Sequence, residues 1–379
     1  MGRTIACDVL VVGAGPAGSS AARAAAEMGV DTVLIDAKMR IGEQPHCGEF
    51  VPSRLFGEFH LDKSCIIQSV DSMETRILTG LSEFGPDLCI PAMTTVSPGH
   101  MIDRVRFDRD LARKASESGA RVFSGTRLIR HKNDYWIARA PESEISFFPR
   151  IVIAADGPLS SVGSLLGLPS FQFLKGLQVE VPLAESIGKT IIFLDKAFSG
   201  GYGWLFPKGI VANLGIGARP DTNVRDLLRS LASALITSGM IREGILARYG
   251  GIIPVSGLRP SLCVENVIFC GDAAGLTHPV TGAGIPQAVF SGDLAGRAAS
   301  AAIKNSSDLP IREYEAEVRG RYKGVIDHAV SKRTIMGSWK TGTDTDYVKL
   351  CEQTWIAFKG YRQRIRNVSN DRVGQSHAD

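Results

Sequence analysis

Residues 7–18 read Cys-Asp-Val-Leu-Val-Val-Gly-Ala-Gly-Pro-Ala-Gly, an apolar β-rich run that breaks into Gly13-x-Gly15-x-x-Gly18. Residues 19–28 behind it are alanine-rich, so the order is strand, glycine turn, helix. In a nucleotide-binding turn each glycine has a task. Gly13 permits the bend, Gly15 lets backbone approach a pyrophosphate, and Gly18 lets the helix lie close to the strand. Pro16 and Ala17 complete the turn, and the amino terminus of the helix behind it offers unpaired N–H groups that favour an anion. A second run, Thr32–Ile35, ends on Asp36-Ala37, 18 residues beyond Gly18 for the aspartate, where such a unit places an acid for a ribose hydroxyl.

Two later apolar runs also deliver polar, glycine-containing turns. Residues 151–155 end on Asp156-Gly157, and residues 264–270 end on Gly271-Asp272. After the second of these, Gly282-Ala283-Gly284-Ile285 opens an alanine-rich helix to about residue 303. Between the turns, residues 104–117 read as a helix and 120–123, 134–140, 145–149 and 151–155 as strands. Strand-like segments at 177–181, 190–194 and 211–216, with a helix at 224–238, form a separate lobe. Residues 39–60 lack periodicity and read as a shaped loop. The tail from residue 310 is helical in pattern and carries Lys359, Arg362, Arg364 and Arg366 with no acid between them, a run expected on a solvated surface.

Ligands of an open parallel sheet bind beyond the carboxyl ends of its strands, so three such turns imply one extended ligand. A nicotinamide dinucleotide explains the first turn but not Gly271-Asp272 some 260 residues on. FAD explains both, because its ribityl and isoalloxazine parts reach beyond the adenosine site. Composition fits a folded protein of two lobes: 379 residues, 44% apolar and 22% charged. Net charge is only +4, which gives nucleic-acid binding no support. The seven cysteines, at 7, 47, 65, 89, 263, 270 and 351, show no metal-ligand spacing, so no metal and a reducing, cytoplasmic setting are expected. No spanning segment or signal peptide is read. Glycine is in surplus, 41 of 379 residues against an ordinary usage of about 7%.

Over residues 5–300 the chain resembles the geranylgeranyl reductase family of FAD-dependent oxidoreductases, within the wider aromatic hydroxylase and flavin halogenase group. The resemblance rests on the glycine turn and on the run from Gly271 through Asp272, His278 and Pro279 to Ile285. It implies an α/β fold: a Rossmann-like FAD-binding domain, an inserted mixed β-sheet substrate-binding lobe and a helical C-terminal tail. The expected boundaries are 1–60, 99–168 and 256–309 for the discontinuous cofactor domain, 61–98 and 169–255 for the lobe, and 310–379 for the tail. It also places Arg104 near the FAD phosphates and Asp156-Gly157 in the family's short acidic-glycine motif. Asp272 falls at the ribityl or pyrophosphate region, and the N–H groups of Gly282, Ala283, Gly284 and Ile285 at the isoalloxazine.

Two segments resemble the reductases in particular. Cys47-Gly48-Glu49 looks like their Cys-Gly segment facing flavin and substrate, and Tyr202-Gly203-Trp204-Leu205-Phe206-Pro207-Lys208 like the aromatic wall of a substrate tunnel. The implied reaction adds hydride from reduced flavin and a proton across a C=C bond of a prenylated or other lipophilic molecule. Cys47 is then the candidate acid, with His46 orienting the proton path, and Tyr202, Trp204, Phe206 and Pro279 contact substrate. Blander readings stand beside these. Cys47 also reads as a small buried hydrophobe, His46 as a structurally bonded loop histidine, Glu49 as a cap for a helix near Val51, and the aromatics as inter-lobe core. His278-Pro279 resembles the hydroxylase turn, and Ala283 replaces an acid frequent in the reductases. An FAD-dependent monooxygenase acting on an aromatic or polyketide substrate is therefore the alternative, and a non-enzymatic flavin- or lipid-binding protein a further one. The electron donor reads as NAD(P)H or a reduced protein partner, and a lipophilic substrate leaves peripheral membrane contact open.

Overall fold

A computed structural model describes residues 3–43, 47–82, 85–88 and 90–363. The chain opens with β1 (Arg3–Val12), α1 (Pro16–Glu27), β2 (Thr32–Ile35), β3 (Phe50–Pro52) and a short α2 (Arg54–Glu58). A long hairpin follows, formed by β4 (Ile66–Ser82), β5 (Gly85–Leu88) and β6 (Met93–Ile102). Helix α3 (Arg104–Glu117) leads to β7 (Arg121–Phe123), β8 (Arg127–Lys132), β9 (Tyr135–Arg139), β10 (Glu144–Ala154) and α4 (Ser161–Leu165). Next come β11 (Phe173–Pro182), β12 (Lys189–Leu194), β13 (Tyr202–Lys208), β14 (Val211–Ala218), α5 (Val224–Thr237) and β15 (Ala247–Pro254). Short β16 (Cys263–Val264) and β17 (Val267–Phe269) precede α6 (Ile285–Asn305), α7 (Leu309–Gly337) and α8 (Asp344–Thr354).

These elements make an α/β fold with two sheets. In the first, β17, β10, β1, β2 and β7 run parallel in that order, with β16 and the β8–β9 hairpin antiparallel at its margins. This is the Rossmann-like arrangement, and its core is the apolar runs of β1, β2 and β10 under α1 and α6. The alanines of α1 let α6 come backbone to backbone. A Cβ at Gly292 would stand 2.0 Å from the Ala17 carbonyl oxygen, and one at Gly296 2.2 Å from that of Ala21. The second sheet is mixed, in the order β15-β11-β14-β13-β12-β4-β6-β3, with β4 and β12 parallel. One of its faces buries Leu205, Leu214 and Ile216 against Leu228, Leu231 and Leu235 of α5. The other meets α7, α8 and the following turn through Ile192, Tyr202, Trp204 and Trp355.

Several local expectations change. The two strands expected at 145–149 and 151–155 are one, β10, which ends at Ala154. Pro149 is tolerated because β9 pairs only as far as Phe147 and β17 only from Val152, so its missing N–H costs no bond on that side. Residues 264–270 are instead a tight hairpin, β16 to β17, turned by Glu265 at φ +52°. The loop over 39–60 contains β3 and α2, and the stretch 60–98 is the long hairpin. Within the second sheet, glycines also occupy strand interiors, at Gly176, Gly215, Gly217 and Gly251. Each such position costs about 0.5–1 kcal/mol relative to alanine, so each requires a reason.

Candidate active site

The nucleotide turn behaves as its spacing demands. Gly13 adopts φ +101°, and a Cβ there would lie 2.5 Å from the Ala155 carbonyl oxygen. At Gly18 a Cβ would lie 1.7 Å from the Gly13 oxygen, so only glycine lets α1 sit this close. Gly15 differs. Its backbone is ordinary, φ −76° and ψ −172°, and nothing of the chain lies within 4 Å of a Cβ. Its glycine is therefore explained by a group outside the chain, and a pyrophosphate at the amino end of α1 fits that space. Pro16 and Ala17 open the helix behind it.

Around this turn the other predicted cofactor residues assemble. Asp36 accepts hydrogen bonds from Ala14 N and Lys38 N, both at 2.7 Å, which fixes its carboxylate at the end of β2 beside exposed Ala37. Asp156 is spent on its own helix, accepting from Ser160 Oγ and Ser161 Oγ at 2.7 Å and from Val162 N at 3.0 Å. Gly157 follows at φ +80°. Asp272 lies in the turn after Gly271, takes a hydrogen bond from Thr277 Oγ1 and would meet a Cβ at Gly284 at 3.1 Å. Burial raises its pKa, against the pull of Thr277 and Arg104. Arg104 starts α3 and forms a two-pronged bond to Asp108 at 2.9 Å, beside Cys47.

A cavity of about 410 Å³ lies between the sheets. Cys47, Gly48 and the Gly282, Ala283, Gly284 and Ile285 run line it on the side of the first sheet, and Tyr202, Trp204 and Phe206 of β13 line it on the other. Alternation along β13 puts these three rings on one face, at centroid separations of 5.6 Å and 6.5 Å. Trp204 lies over Gly215, where a Cβ would be 2.2 Å from its ring, and Phe206 lies over Gly48. Tyr202 hydroxyl donates to the Thr281 carbonyl, tying the aromatic wall to the glycine loop before α6. Pro279 is buried in that loop and is not among the lining residues, so the structure separates it from the other substrate candidates. His46, Arg364 and Arg366 lie outside the described residues.

Cys47 is held by bonds that sequence reading missed. The Glu49 N–H donates to its Sγ at 3.2 Å, and Gln178 Nε2 donates to its carbonyl at 3.2 Å while Gln178 Oε1 accepts from Trp204 Nε1 at 2.8 Å. Burial pushes the thiol pKa up, and the Arg104 charge opposes this. Glu49, expected to cap a helix near Val51, instead caps α3 by accepting from Arg104 N at 3.1 Å. Its other oxygen accepts from Lys208 Nζ and Asn213 Nδ2, both at 2.7 Å, and the carboxylate is almost wholly buried. Burial pulls the Lys208 pKa down, but Glu49 and Glu180 more than reverse it and leave it raised. Lys208→Met strands a buried carboxylate and is expected to cost about 3–5 kcal/mol in chemical denaturation. The double variant with Glu49→Gln is expected to recover part of that loss.

The tail supplies the remaining wall, which its helical pattern and basic run did not announce. Trp355, Ile356, Ala357 and Arg362 line the cavity, and Trp355 Nε1 donates to Thr75 Oγ1 at 3.2 Å. Tyr361 hydroxyl lies 3.2 Å from His278 Nε2, and the Tyr361 carbonyl 2.6 Å from His328 Nε2. Burial, with His328 adding to it, pushes the His278 pKa down to about 4, so this histidine is neutral at physiological pH.

The geometry agrees with comparisons to known proteins. The FAD binding domain family model matches residues 6–181. Digeranylgeranylglycerophospholipid reductase 3 of Methanosphaera stadtmanae is 32% identical over 342 residues, covering 86% of this chain and 84% of the relative. The Methanosarcina mazei digeranylgeranylglycerophospholipid reductase is 33% identical over 356 residues, covering 87% and 83%. A solved geranylgeranyl bacteriochlorophyll reductase-like protein from Thermoplasma acidophilum superposes with a TM-score of 0.81 at 26% identity over 94% of this chain and 92% of its own. A flavin-dependent brominase shares the fold at 16% identity, TM-score 0.69, over 92% of this chain and 99% of its own. A flavin turn that needs an outside ligand to explain Gly15, and relatives matched over more than four fifths of both chains, lead to one assignment: this chain belongs to the geranylgeranyl reductase family of FAD-dependent oxidoreductases.

Proposed function

We propose that the enzyme saturates C=C bonds in the prenyl chains of an isoprenoid lipid. The observation that carries this reading is the largely apolar, aromatic-walled cavity with Cys47 on one side and the Gly282 to Ile285 run beside it. The named activities of the relatives support the same substrate class. Bound and reduced, FAD supplies the hydride. The chain's part is to align the alkene along Tyr202, Trp204 and Phe206, to exclude water, and to hold a proton at Cys47 Sγ. Burial keeps that thiol protonated at neutral pH. When the proton leaves for the second alkene carbon, the Glu49 N–H and the Arg104 charge steady the thiolate, which solvent reprotonates.

Electrons reach the enzyme from a donor that docks transiently, a nicotinamide or a reduced protein, since the one dinucleotide fingerprint serves FAD. Among the described residues no helix is long and apolar enough to cross a membrane. A lipid substrate brings the protein to the bilayer surface instead.

The test is to reduce the enzyme anaerobically with dithionite and mix it with a digeranylgeranyl glycerophospholipid. The expected result is lipid-dependent flavin reoxidation and a product heavier by two hydrogens for each bond reduced. Oxygen consumption with gain of one oxygen atom would instead establish a hydroxylase, and absence of reoxidation by lipid a binding protein.

A further inference from the structure

Cys47, Gly48 and Glu49 are fastened, one residue after another, to the sheet that faces them. Gln178 Nε2 of β11 donates to the Cys47 carbonyl at 3.2 Å. The Phe206 ring of β13 occupies the place of a Gly48 side chain, whose Cβ would lie 2.7 Å from Cε2. Asn213 Nδ2 of β14 donates to the Gly48 carbonyl at 3.4 Å and to Glu49 Oε2 at 2.7 Å, and Lys208 Nζ of β13 reaches the same carboxylate oxygen at 2.7 Å. Asn213 and Phe206 are cross-strand partners, so one row of the second sheet holds both Gly48 and Glu49.

Asn213 is fully buried, and both groups it holds are acceptors. That fixes Nδ2 toward them and leaves Oδ1 with no partner among the described residues. An orphaned oxygen inside a protein costs stability, so this asparagine calls for another reason. The Gly48–Glu49 peptide supplies it. Glu49 has φ +68°, in the left-handed region that a residue with a Cβ seldom takes. Its peptide is thereby turned with the Gly48 carbonyl toward Asn213 and the Glu49 N–H toward Cys47 Sγ, at 3.2 Å. The C=O and N–H of a trans peptide point opposite ways, so holding one aims the other. A flip of this plane would relieve the positive φ and turn a carbonyl, in place of an N–H, toward the sulfur.

We infer that Asn213 and the Glu49 carboxylate are positioning residues, which hold the Gly48–Glu49 peptide in its disfavoured orientation so that the Glu49 N–H meets Cys47 Sγ. Lys208, at the end of the aromatic wall, anchors the same carboxylate, so wall and thiol are held as one piece. The inference rests on the reading of Cys47 as the acid. Arg104 and the Glu49 carboxylate are the charged groups that act on this thiol, and Tyr202 is the neutral titratable one.

The experiment is made at residue 49. Glycine takes a positive φ without strain and alanine does not, so Glu49→Gly keeps access to the native plane and Glu49→Ala gives it up. The two variants differ by one methyl group and lose the same side-chain bonds. Both carry Lys208→Met, so that no lysine is left facing the missing carboxylate. An N–H at sulfur favours the thiolate, and its loss raises the thiol pKa. With dithionite-reduced, FAD-loaded enzyme and digeranylgeranyl glycerophospholipid, single-turnover flavin reoxidation is expected to be about tenfold or more slower in the alanine variant than in the glycine variant. Its alkaline limb should lie about one pH unit or more higher.

Alkylation of Cys47 by iodoacetamide as a function of pH, read on its peptide by mass spectrometry, separates this inference from the acid role of Cys47. A thiol pKa about one unit or more higher in the alanine variant upholds the positioning even where the turnover rates match, and the acid role then fails. Equal thiol pKa values in the two variants overturn the positioning whatever the rates. If the alanine variant does not retain FAD, Asn213→Leu in the otherwise native chain decides. A thiol pKa above that of wild type upholds the inference, and a wild-type value overturns it.

Discussion

Cys47→Ala is expected to slow alkene reduction by the reduced enzyme about a hundredfold or more, in the range of a lost general acid, with FAD content unchanged. The thiol lines the cavity, receives the Glu49 N–H at Sγ and lies beside Arg104. Burial lifts its pKa above the ordinary thiol value, so the acid form persists through neutral pH. In wild type the single-turnover rate should be level through neutral pH and fall only as alkali deprotonates the thiol. In Cys47→Ala the residual rate should lose that alkaline limb. A stopped-flow pH series of flavin reoxidation by lipid reads both. Full activity in the alanine variant would return Cys47 to the status of a small buried hydrophobe.

Gly18→Ala and Gly15→Val are expected to separate what the fold needs from what the flavin needs. The Cβ introduced at residue 18 collides with the Gly13 carbonyl at 1.7 Å, so α1 must move off β1. Overpacking of that severity costs about 3 kcal/mol or more, and the variant should lose both apoprotein stability and FAD. At Gly15 there is open space and an ordinary backbone, so the apoprotein should lose only about 1 kcal/mol, the cost of valine in place of glycine at the N-cap of α1. Its valine fills the space where a pyrophosphate would sit. Losing one charge-assisted hydrogen bond there, worth about 1.5–3 kcal/mol, weakens FAD roughly ten- to a hundredfold. Titration of both apoproteins with FAD, beside their thermal melts, checks the contrast. Equal FAD affinity for Gly15→Val and wild type would remove the pyrophosphate from that turn.

What could be read from the chain was local, and what could not was long-range. The glycine turn and α3 were legible because their signals lie within one turn of the element they mark. Asp103 accepts from Arg106 N at the start of α3, and helical periodicity runs to Glu117. Glu49 was misread for the opposite reason. Proximity offered it α2, whereas its partners Lys208 and Asn213 lie 159 and 164 positions away. The β4–β6 hairpin was hidden because β6 faces water on alternate residues and carries Thr, Ser, Pro and Gly in place of an apolar run. Trp355 gave no periodic signal at all. Its place in the cavity is set by Thr75, 280 residues earlier.

That last contact bears on how the molecule is made. Every parallel strand of the first sheet has been synthesised by Phe269, and α6, which covers it, by Asn305. The wall built by Trp355 to Arg362 emerges much later. During translation the flavin-binding half can therefore settle while Ile77, Ile192, Tyr202 and Trp204 still await their cover. A nascent chain or a prematurely terminated product presents those residues as an open greasy surface, a natural target for chaperones and a seed for aggregation.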